Sequence, residues 1–599
     1  MTGRCLFVNT YYGAFLESHY SRNPALARAP YREQLQSLNG ECFGDSDFYS
    51  SGLKRAGWEA SDIIINCAPL QAAWARENGV SATGFDLVIE QIRAHSPDVV
   101  YLQDLSCATR PFLERIRDLV PIIAGQIASV LPDSAHLPGL DLIFTSFPHY
   151  VERFRARGVA AYYQALAFDP RILERLGSTD RSLELTFVGG ISGLHSRATS
   201  LLEHLARETP IRFWGYGRER LPDTSQIQKS HGGEAWGLDM FSLLAASKLT
   251  VNRHVDSAEN FANNMRLFEA TGCGALLITD HKDNLDDLFE IGKEVVAYRS
   301  AEECVALIEY FQRHPERARD IARAGQARTL RDHTYGQRMQ DTARILGQHL
   351  RRHRDAARLS GATITPSADY RSTDDRSEIP DLTEAWKDPG IPLAQRALVN
   401  RELQAMYRGH PPRVYTTLCE ALGPLLEKGT RILEIGCASG YYFEALEYLL
   451  GRRLDYTGVD YSGAMIEMAS EYYPDSRFIR ADGASMPFRD AEFDISVSSC
   501  VLLHVQDVDA HVKETARVSS GHVIAHRTPV CRSGETRSFT KKAYGVECLE
   551  NMFNEDEFIS IFARHGLEMT NAIELESDSA NDRHIFTYLF KKTGHGDMK

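Results

Sequence analysis

The sequence predicts an α/β protein in which two parallel-sheet lobes of similar size are followed by a third parallel-sheet domain. Three observations lead there. Short apolar runs followed by segments of helical period recur from the first residues onward, the signature of parallel strands joined by helices. The alternation breaks at Ala167-Phe168-Asp169-Pro170 and restarts at Leu185-Thr186-Phe187-Val188-Gly189-Gly190, which sets a lobe boundary. A stretch from about Ser360 to Pro380, rich in Ser, Thr, Asp and Arg, holds few apolar residues and reads as a linker, because it cannot bury a core. The expected division is 1–168, 169–358, a linker at 359–380, and 381–599.

In the first lobe the strand-like runs are Cys5 to Val8, Ile63 to Ile65, Val99 to Leu102, Ile122 to Ala124 and Leu142 to Phe144. The second continues through Ile211 to Trp214, Leu249 to Asn252, Ala275 to Thr279 and Val295 to Tyr298, and ends in an Arg-rich helical tract from Pro315 to Arg358. The third domain opens with helical sequence at Arg396 to Tyr407 and Val414 to Leu422. Strands are then expected at Arg431 to Ile435, Asp455 to Val459, Arg477 to Arg480, Ile495 to Ser498 and Val523 to Ala525, with a late antiparallel one at Ile585 to Phe590.

A chain of 599 residues exceeds a single hydrophobic core. Hydrophobic residues at 43% and charged residues at 25% are the composition of a soluble globular protein. With 67 basic against 81 acidic residues the formal charge is −14, which argues against nucleic acid as a partner. Eleven cysteines fall without a Cys-x-x-Cys pair or a cluster with histidines, so no metal site or disulfide framework is expected. No leader or membrane-length apolar run is present, so a cytoplasmic location is expected, at most peripheral to the inner face of a membrane. The Arg-rich tract could rest on anionic lipid, but Glu316, Asp320, Asp332, Asp341 and Asp355 favour a solvated face.

The most specific run is Arg431-Ile432-Leu433-Glu434-Ile435-Gly436-Cys437-Ala438-Ser439-Gly440, a strand ending beside an acid and then a turn with small residues at alternate positions. Such a turn lets a ligand approach the backbone at a helix start, and by itself could equally serve a nicotinamide cofactor. The next strands place Asp460 in Gly458-Val459-Asp460 and Asp482-Gly483 at their ends, suited to ribose hydroxyls and to an adenine amino group. A fourth strand leads to His504, and a fifth to His526. With these motifs in order, residues 396–590 resemble class I methyltransferases, a Rossmann-like fold, and the resemblance implies S-adenosylmethionine as methyl donor. Glu434, Gly436, Ala438, Gly440, Asp460, Asp482 and Gly483 are the cofactor-binding candidates; Ala438 departs from the usual middle glycine. His504 and His526 are candidate bases for deprotonating a hydroxyl, against buried or surface histidines of no special role. Tyr407 and Arg408 form a lid or merely belong to a packed amphipathic helix.

The second lobe carries Asn263-Asn264-Met265-Arg266-Leu267-Phe268-Glu269-Ala270-Thr271-Gly272 before the strand Leu276 to Asp280. A helix start with Asn264 and Arg266 favours a diphosphate, and Glu269 one turn on suits ribose hydroxyls. With Gly189-Gly190, Phe213-Trp214-Gly215-Tyr216-Gly217 and Asp332-His333-Thr334-Tyr335-Gly336-Gln337-Arg338, residues 185–345 resemble the CgeB-like, spore-maturation-type branch of GT-B glycosyltransferases. That resemblance implies a pair of Rossmann-like lobes, a nucleotide-sugar donor between them and no catalytic metal. Gly189, Gly190, His195, Arg197 and Arg253 are further donor-binding candidates, with surface ion pairs as the alternative for the arginines. Arg266 would also stabilise the departing diphosphate. Glu17, His19 and Asp104 are candidate bases from the first lobe.

The expected function is a bifunctional enzyme of glycan or surface-polysaccharide assembly, adding a sugar to a glycan or lipid-linked glycan and methylating a glycan hydroxyl, with a homo-oligomer among the assemblies open to it. The alternative is a methyltransferase carrying a catalytically idle glycan- or nucleotide-binding module.

Overall fold

Strand β1 (Arg4–Asn9) buries Cys5, Leu6, Phe7 and Val8 in succession, and a continuous apolar run of this kind needs cover on both faces, which helices around a parallel sheet provide. The computed structural model describes residues 2–191, 196–359, 370–372, 387, 388, 390–543 and 546–593. The chain divides into two units, Met1–Leu350 and Arg351–Lys599.

The first unit holds two parallel sheets. One has the order β2-β1-β3-β4-β5-β6, with β2 Glu59–Ile64, β3 Val99–Leu102, β4 Ile122–Ile127, β5 Leu142–Thr145 and β6 Ala160–Tyr163. The other has the order β11-β10-β9-β7-β8, with β7 Leu183–Val188, β8 Arg212–Trp214, β9 Ser247–Asn252, β10 Leu276–Asp280 and β11 Val296–Tyr298. Strand β6 is absent from the sequence reading because Ala160-Ala161-Tyr162-Tyr163 offers little β-branched bulk. The Arg-rich tract is two helices, Pro315–Asp332 and Tyr335–Leu359. The second returns to the first sheet's lobe: Tyr335 stacks on Phe48 at 5.2 Å, and Thr342 donates to Gln164 at 2.8 Å. Both chain crossings between the lobes meet, since Phe168 N–H donates to His333 O at 3.0 Å and Tyr335 N–H to Phe168 O at 3.1 Å. The lobes also touch through Asn263 and Ser146 (2.9 Å) and through Arg153 and Glu259 (2.8 Å).

The second unit is built on a ten-stranded mixed sheet. Strands β13 (Arg431–Ile435), β14 (Asp455–Asp460), β15 (Arg477–Arg480), β16 (Phe493–Ser499) and β17 (Ser519–Cys531) pair in parallel. Strand β21 (Arg583–Lys592) lies antiparallel to β17, and β20 (Leu567–Asp578) antiparallel to β21. The path extends through β19 (Val546–Asn554) and β18 (Arg537–Ala543) to β12 (Tyr370–Ser372). The expected linker lies outside the described residues except at its start and at β12, where three residues pair with β18 instead of remaining unstructured.

Glu444, on the helix Tyr441–Leu450 that follows β13, is buried with four partners. Tyr407 donates to it at 3.0 Å, Tyr473 at 2.5 Å, Arg352 forms a close ion pair and Arg396 lies 3.6 Å away. Burial alone would raise its pKa, but Arg352 and then Arg396 hold the carboxyl below its ordinary range. Removing this carboxylate takes from two buried guanidinium groups the anion they share. Glu444→Ala should therefore cost the second unit about 3–5 kcal/mol, read as a lower urea midpoint; a midpoint equal to wild type would mean the knot carries no stability.

Candidate functional site

At the carboxyl ends of the second unit's parallel strands lies a cavity of about 590 Å³. Its floor is the turn after β13, where Gly436, Ala438 and Gly440 all take left-handed backbone angles. A Cβ on Gly436 would sit 2.7 Å from Val501 Cβ, so only glycine fits. Ala438 holds φ +47 with a side chain present, a conformation costing about 1–2 kcal/mol. What offsets it is Asp460 at the end of β14: its Oδ2 accepts the Ala438 N–H at 2.9 Å and its Oδ1 the Ser462 N–H at 2.9 Å. Burial pushes the Asp460 pKa up to about 6 in spite of those amides. Gly483, after β15, carries His511 against it so closely that a Cβ would lie 2.4 Å from the imidazole.

Of the residues anticipated for this site, Gly436, Ala438, Asp460, Asp482, Gly483 and His504 line the cavity. The others are placed elsewhere, each for a local reason. Glu434 lies beneath the turn, accepting a hydrogen bond from Tyr456, and burial pushes its carboxyl up to about 7. Gly440 begins the next helix against Phe478. Tyr407 is no lid, because its hydroxyl serves Glu444 and its ring carries the Arg352 guanidinium at 3.9 Å. Arg408 is exposed at that helix's end. The same helix, Ile391–Tyr407, instead lines the cavity with Gln395 and Leu398 from its first half. His526 faces the core, its Nδ1 2.8 Å from Thr587 Oγ1 and its Nε2 3.2 Å from Tyr442 Oη. Burial, then Arg527, drives its pKa down to about 3, so it is not a base of this site.

The opposite end of the cavity is walled by His504, Arg527, Lys541, Cys548, Glu550 and Arg583. His504 Nδ1 is 2.5 Å from Leu549 O; a carbonyl only accepts, so Nδ1 carries the proton and the neutral ring's lone pair is on Nε2. Burial lowers the His504 pKa from its ordinary value, keeping the ring neutral near pH 7. Glu550 pairs with Lys541 at 3.1 Å and with Arg583 at 3.8 Å. Sequence reasoning missed Arg527, the immediate neighbour of His526, for want of any signal that β17 bulges there.

In the first unit, the helix of the anticipated donor element begins at Arg266 and not near Asn263. Arg266 and Glu269 pair with each other at 2.7 Å, and burial raises the Glu269 pKa although Arg266 opposes it. Asn264 bonds Asn252 at 2.8 Å and Arg253 O at 3.1 Å, while Arg253 pairs with Asp256 at 3.0 Å. The space over Gly190 is taken by Tyr216, whose Cζ would lie 2.3 Å from a Cβ there, and Gly189 N–H donates to Trp214 O. These two glycines thus serve internal packing. His195 and the side chain of Arg197 lie outside the described residues. Glu17 is exposed, His19 is buried beside Ser37 (3.1 Å), and Asp104 bonds Thr10 and caps the turn at Ser106. A carboxylate the sequence did not single out, Asp45, sits 3.2 Å from Tyr335 Oη and 3.4 Å from Gln126 Nε2. Burial pushes it up to about 6, and the nearby Glu269 adds to that.

The sheets and the cavity at their strand ends define a chain of Rossmann-like α/β domains. Residues 433–524 match the family model described as methyltransferase domain, and residues 197–344 the one described as glycosyl transferase-like. The chain is 30% identical over 173 residues to the demethylmenaquinone methyltransferase of Staphylococcus aureus, covering 23% of this chain and 72% of that one. It is 26% identical over 251 residues to the arsenite methyltransferase of Aquipseudomonas alcaligenes, over 38% of this chain, and spans 66% of that enzyme's length. The Burkholderia thailandensis 1,6-didemethyltoxoflavin-N1-methyltransferase superposes with a TM-score of 0.28 at 15% identity, over 39% of this chain and 95% of that one. The chain belongs to the methyltransferase-domain family through its second unit and carries a glycosyltransferase-like domain in its first.

Among the described residues no helix is long and apolar enough to cross a membrane. Glycine at position 438 would take the turn's left-handed angle without a Cβ penalty. Ala438→Gly is expected to stabilise the second unit by about 1 kcal/mol, raising its melting temperature by roughly 2–4 °C; calorimetry giving a lower value would remove strain from the account of this turn.

Proposed function

We propose that the chain is a bifunctional transferase of glycan assembly, its second unit methylating a glycan hydroxyl from S-adenosylmethionine and its first adding a sugar from a nucleotide-sugar. The observation that carries the methyl-transfer half is the polar cradle of the cavity. Asp460 keeps a lone pair on each oxygen after accepting two backbone N–H groups, as two ribose hydroxyls require. Ser462 Oγ, buried on the same wall, has no hydrogen-bond partner among the described residues. Asp482 stands at the next strand end for the adenine amino group. Bound in that cradle, the cofactor would supply a methyl group made electrophilic by a sulfonium. His504 Nε2 accepts the acceptor hydroxyl's proton, a contribution typically worth about 10²–10⁴ in rate. The relatives' names state different acceptors, so the glycan assignment rests on the neighbouring glycosyltransferase-like domain.

For sugar transfer, the donor sits between the lobes with Glu269 toward the ribose and Arg266 toward the diphosphate. Asp45 is the first-lobe base, better placed than the exposed Glu17 or the capping Asp104. The CgeB-like branch and a lipid-linked acceptor at the inner face of the membrane complete this reading. A second reading has its own support: Arg266 and Glu269 already satisfy each other, as they would in an idle glycan- or nucleotide-binding module.

Calorimetric titration with S-adenosylhomocysteine tests the methyl half. Ionised Asp460 is the form that accepts both hydroxyls, so affinity should hold above pH about 6 and fall as pH drops through the Asp460 pKa. Asp460→Asn should flatten that dependence and weaken binding by about 1.5–3 kcal/mol; tight binding with an unchanged profile in the variant would remove Asp460 from the site. A sugar-nucleotide hydrolysis screen, with and without glycan acceptors, tests the other half. Turnover whose donor KM rises in Glu269→Ala, with folding verified by circular dichroism, supports transfer. No turnover of any donor alongside retained glycan binding would leave the module reading standing.

A further inference from the structure

The far end of the cavity has a charge pattern that sugar-hydroxyl recognition alone does not need. Three cationic side chains line it, Arg527 from β17, Lys541 from β18 and Arg583 from β21, against the single carboxylate Glu550 from β19. Glu550 is engaged by Lys541 and Arg583. Arg527 is half-buried. Its neighbours are the hydroxyls of Tyr441 and Tyr442 and the thiol of Cys500, and among the described residues no carboxylate forms an ion pair with it. A guanidinium withdrawn from water in this way asks for an anion.

The backbone is bent to present it. The ladder between β17 and β21 slips register between Ala525 and Thr528. At that slip Arg527 takes φ +58, a left-handed angle that a residue with a Cβ rarely adopts. Across from it Cys500, at the end of β16, takes φ +55 and donates its N–H to His526 O at 2.9 Å. Consecutive side chains of a strand leave on opposite faces, and here His526 goes to the core and Arg527 to the cavity. Disfavoured angles maintained at a cavity wall signal a positional requirement there. The other carboxylates of the cavity come from other elements: Asp460 ends β14, Asp482 follows β15, and Asp507 caps the helix Val508–Val518.

We propose that this end of the cavity is an anion subsite, so that the molecule methylated carries a carboxylate or phosphate group close to the reacting atom, held by Arg527. The assignment rests on the reading of the cavity as a methyl-transfer site. It narrows the acceptor from any glycan hydroxyl to that of an acidic sugar.

The test is calorimetric titration of the full-length protein, alone and with S-adenosylhomocysteine, by glucose 6-phosphate, glucuronate and methyl glucoside. At least one anionic sugar should bind about tenfold or more tightly than the neutral one, the worth of a charge-assisted hydrogen bond. Comparing the two anions distinguishes phosphate from carboxylate. Arg527→Gln should lose about that factor while leaving S-adenosylhomocysteine affinity within about twofold, and Arg527→Lys should recover part, having the charge without the bidentate fork. Methyl glucoside binding as well as the anions, no anion binding at millimolar concentration, or undiminished anion binding in a folded Arg527→Gln would each overturn the subsite. The wild-type comparison decides even where the variant fails to fold. Anion preference without any S-adenosylhomocysteine binding would instead keep the subsite and remove the methyl-transfer reading.

Discussion

The second unit is organised around a carboxylate that water does not reach. Glu444 projects from the helix that begins at the cavity's floor and gathers Arg352, Arg396, Tyr407 and Tyr473 around its two oxygens. A buried charge is tolerated only when its partners are complete, so this one group fixes the relative placement of several segments. The helix Ile391–Tyr407 supplies two of the partners, and that anchoring is what sets Gln395 and Leu398 over the cavity. Arg396 is wholly buried, with its guanidinium 3.8 Å from the Tyr472 ring. The cover of the site thus inherits its position from an interaction that lies outside the site.

Part of the backbone strain falls on the cavity's wall. Nine non-glycine residues among those described have left-handed angles, and three of them, Ala438, Cys500 and Arg527, line the one cavity. At Ala438 the compensation is visible in the Asp460 hydrogen bond. Backbone held away from its preferred angles persists only when surrounding contacts over-determine it, and here the parallel strands β13, β14, β16 and β17 supply them.

How legible each part was in the sequence follows from how local its determinants are. The end of the cavity at β13 to β15 comes from short runs in which strand, turn and acid are consecutive, so Gly436, Asp460 and Gly483 are legible in the sequence as residues of one strand-end cluster. The opposite wall comes from β18, β19 and the later half of β17, which has Pro529 inside a strand and a bulge beside it. A proline without an N–H argues against a central strand, so the pattern beyond Ala525 gives no sign that the strand continues or that Arg527 faces the cavity. Strand β20 was hidden for another reason: its outward positions are mostly polar, as at an edge that must not recruit another chain. In the first unit the motif around Arg266 and Glu269 was visible, but a pattern cannot say that the two side chains are bonded to each other.

The meeting of the two chain crossings at Phe168, His333 and Tyr335 has a mechanical consequence for the first unit. Two strands of polypeptide joined side by side by a pair of backbone hydrogen bonds behave as a door hinge with both pins on one axis. Lobes so connected can swing about that axis but resist twisting around it, because twisting would break the paired bonds. The contacts of Asn263 with Ser146 and Arg153 with Glu259, together with Leu238 N–H to Glu41 O at 2.8 Å and Arg22 to Asp239 at 3.0 Å, tie the lobes at further points, and any such swing would have to release them.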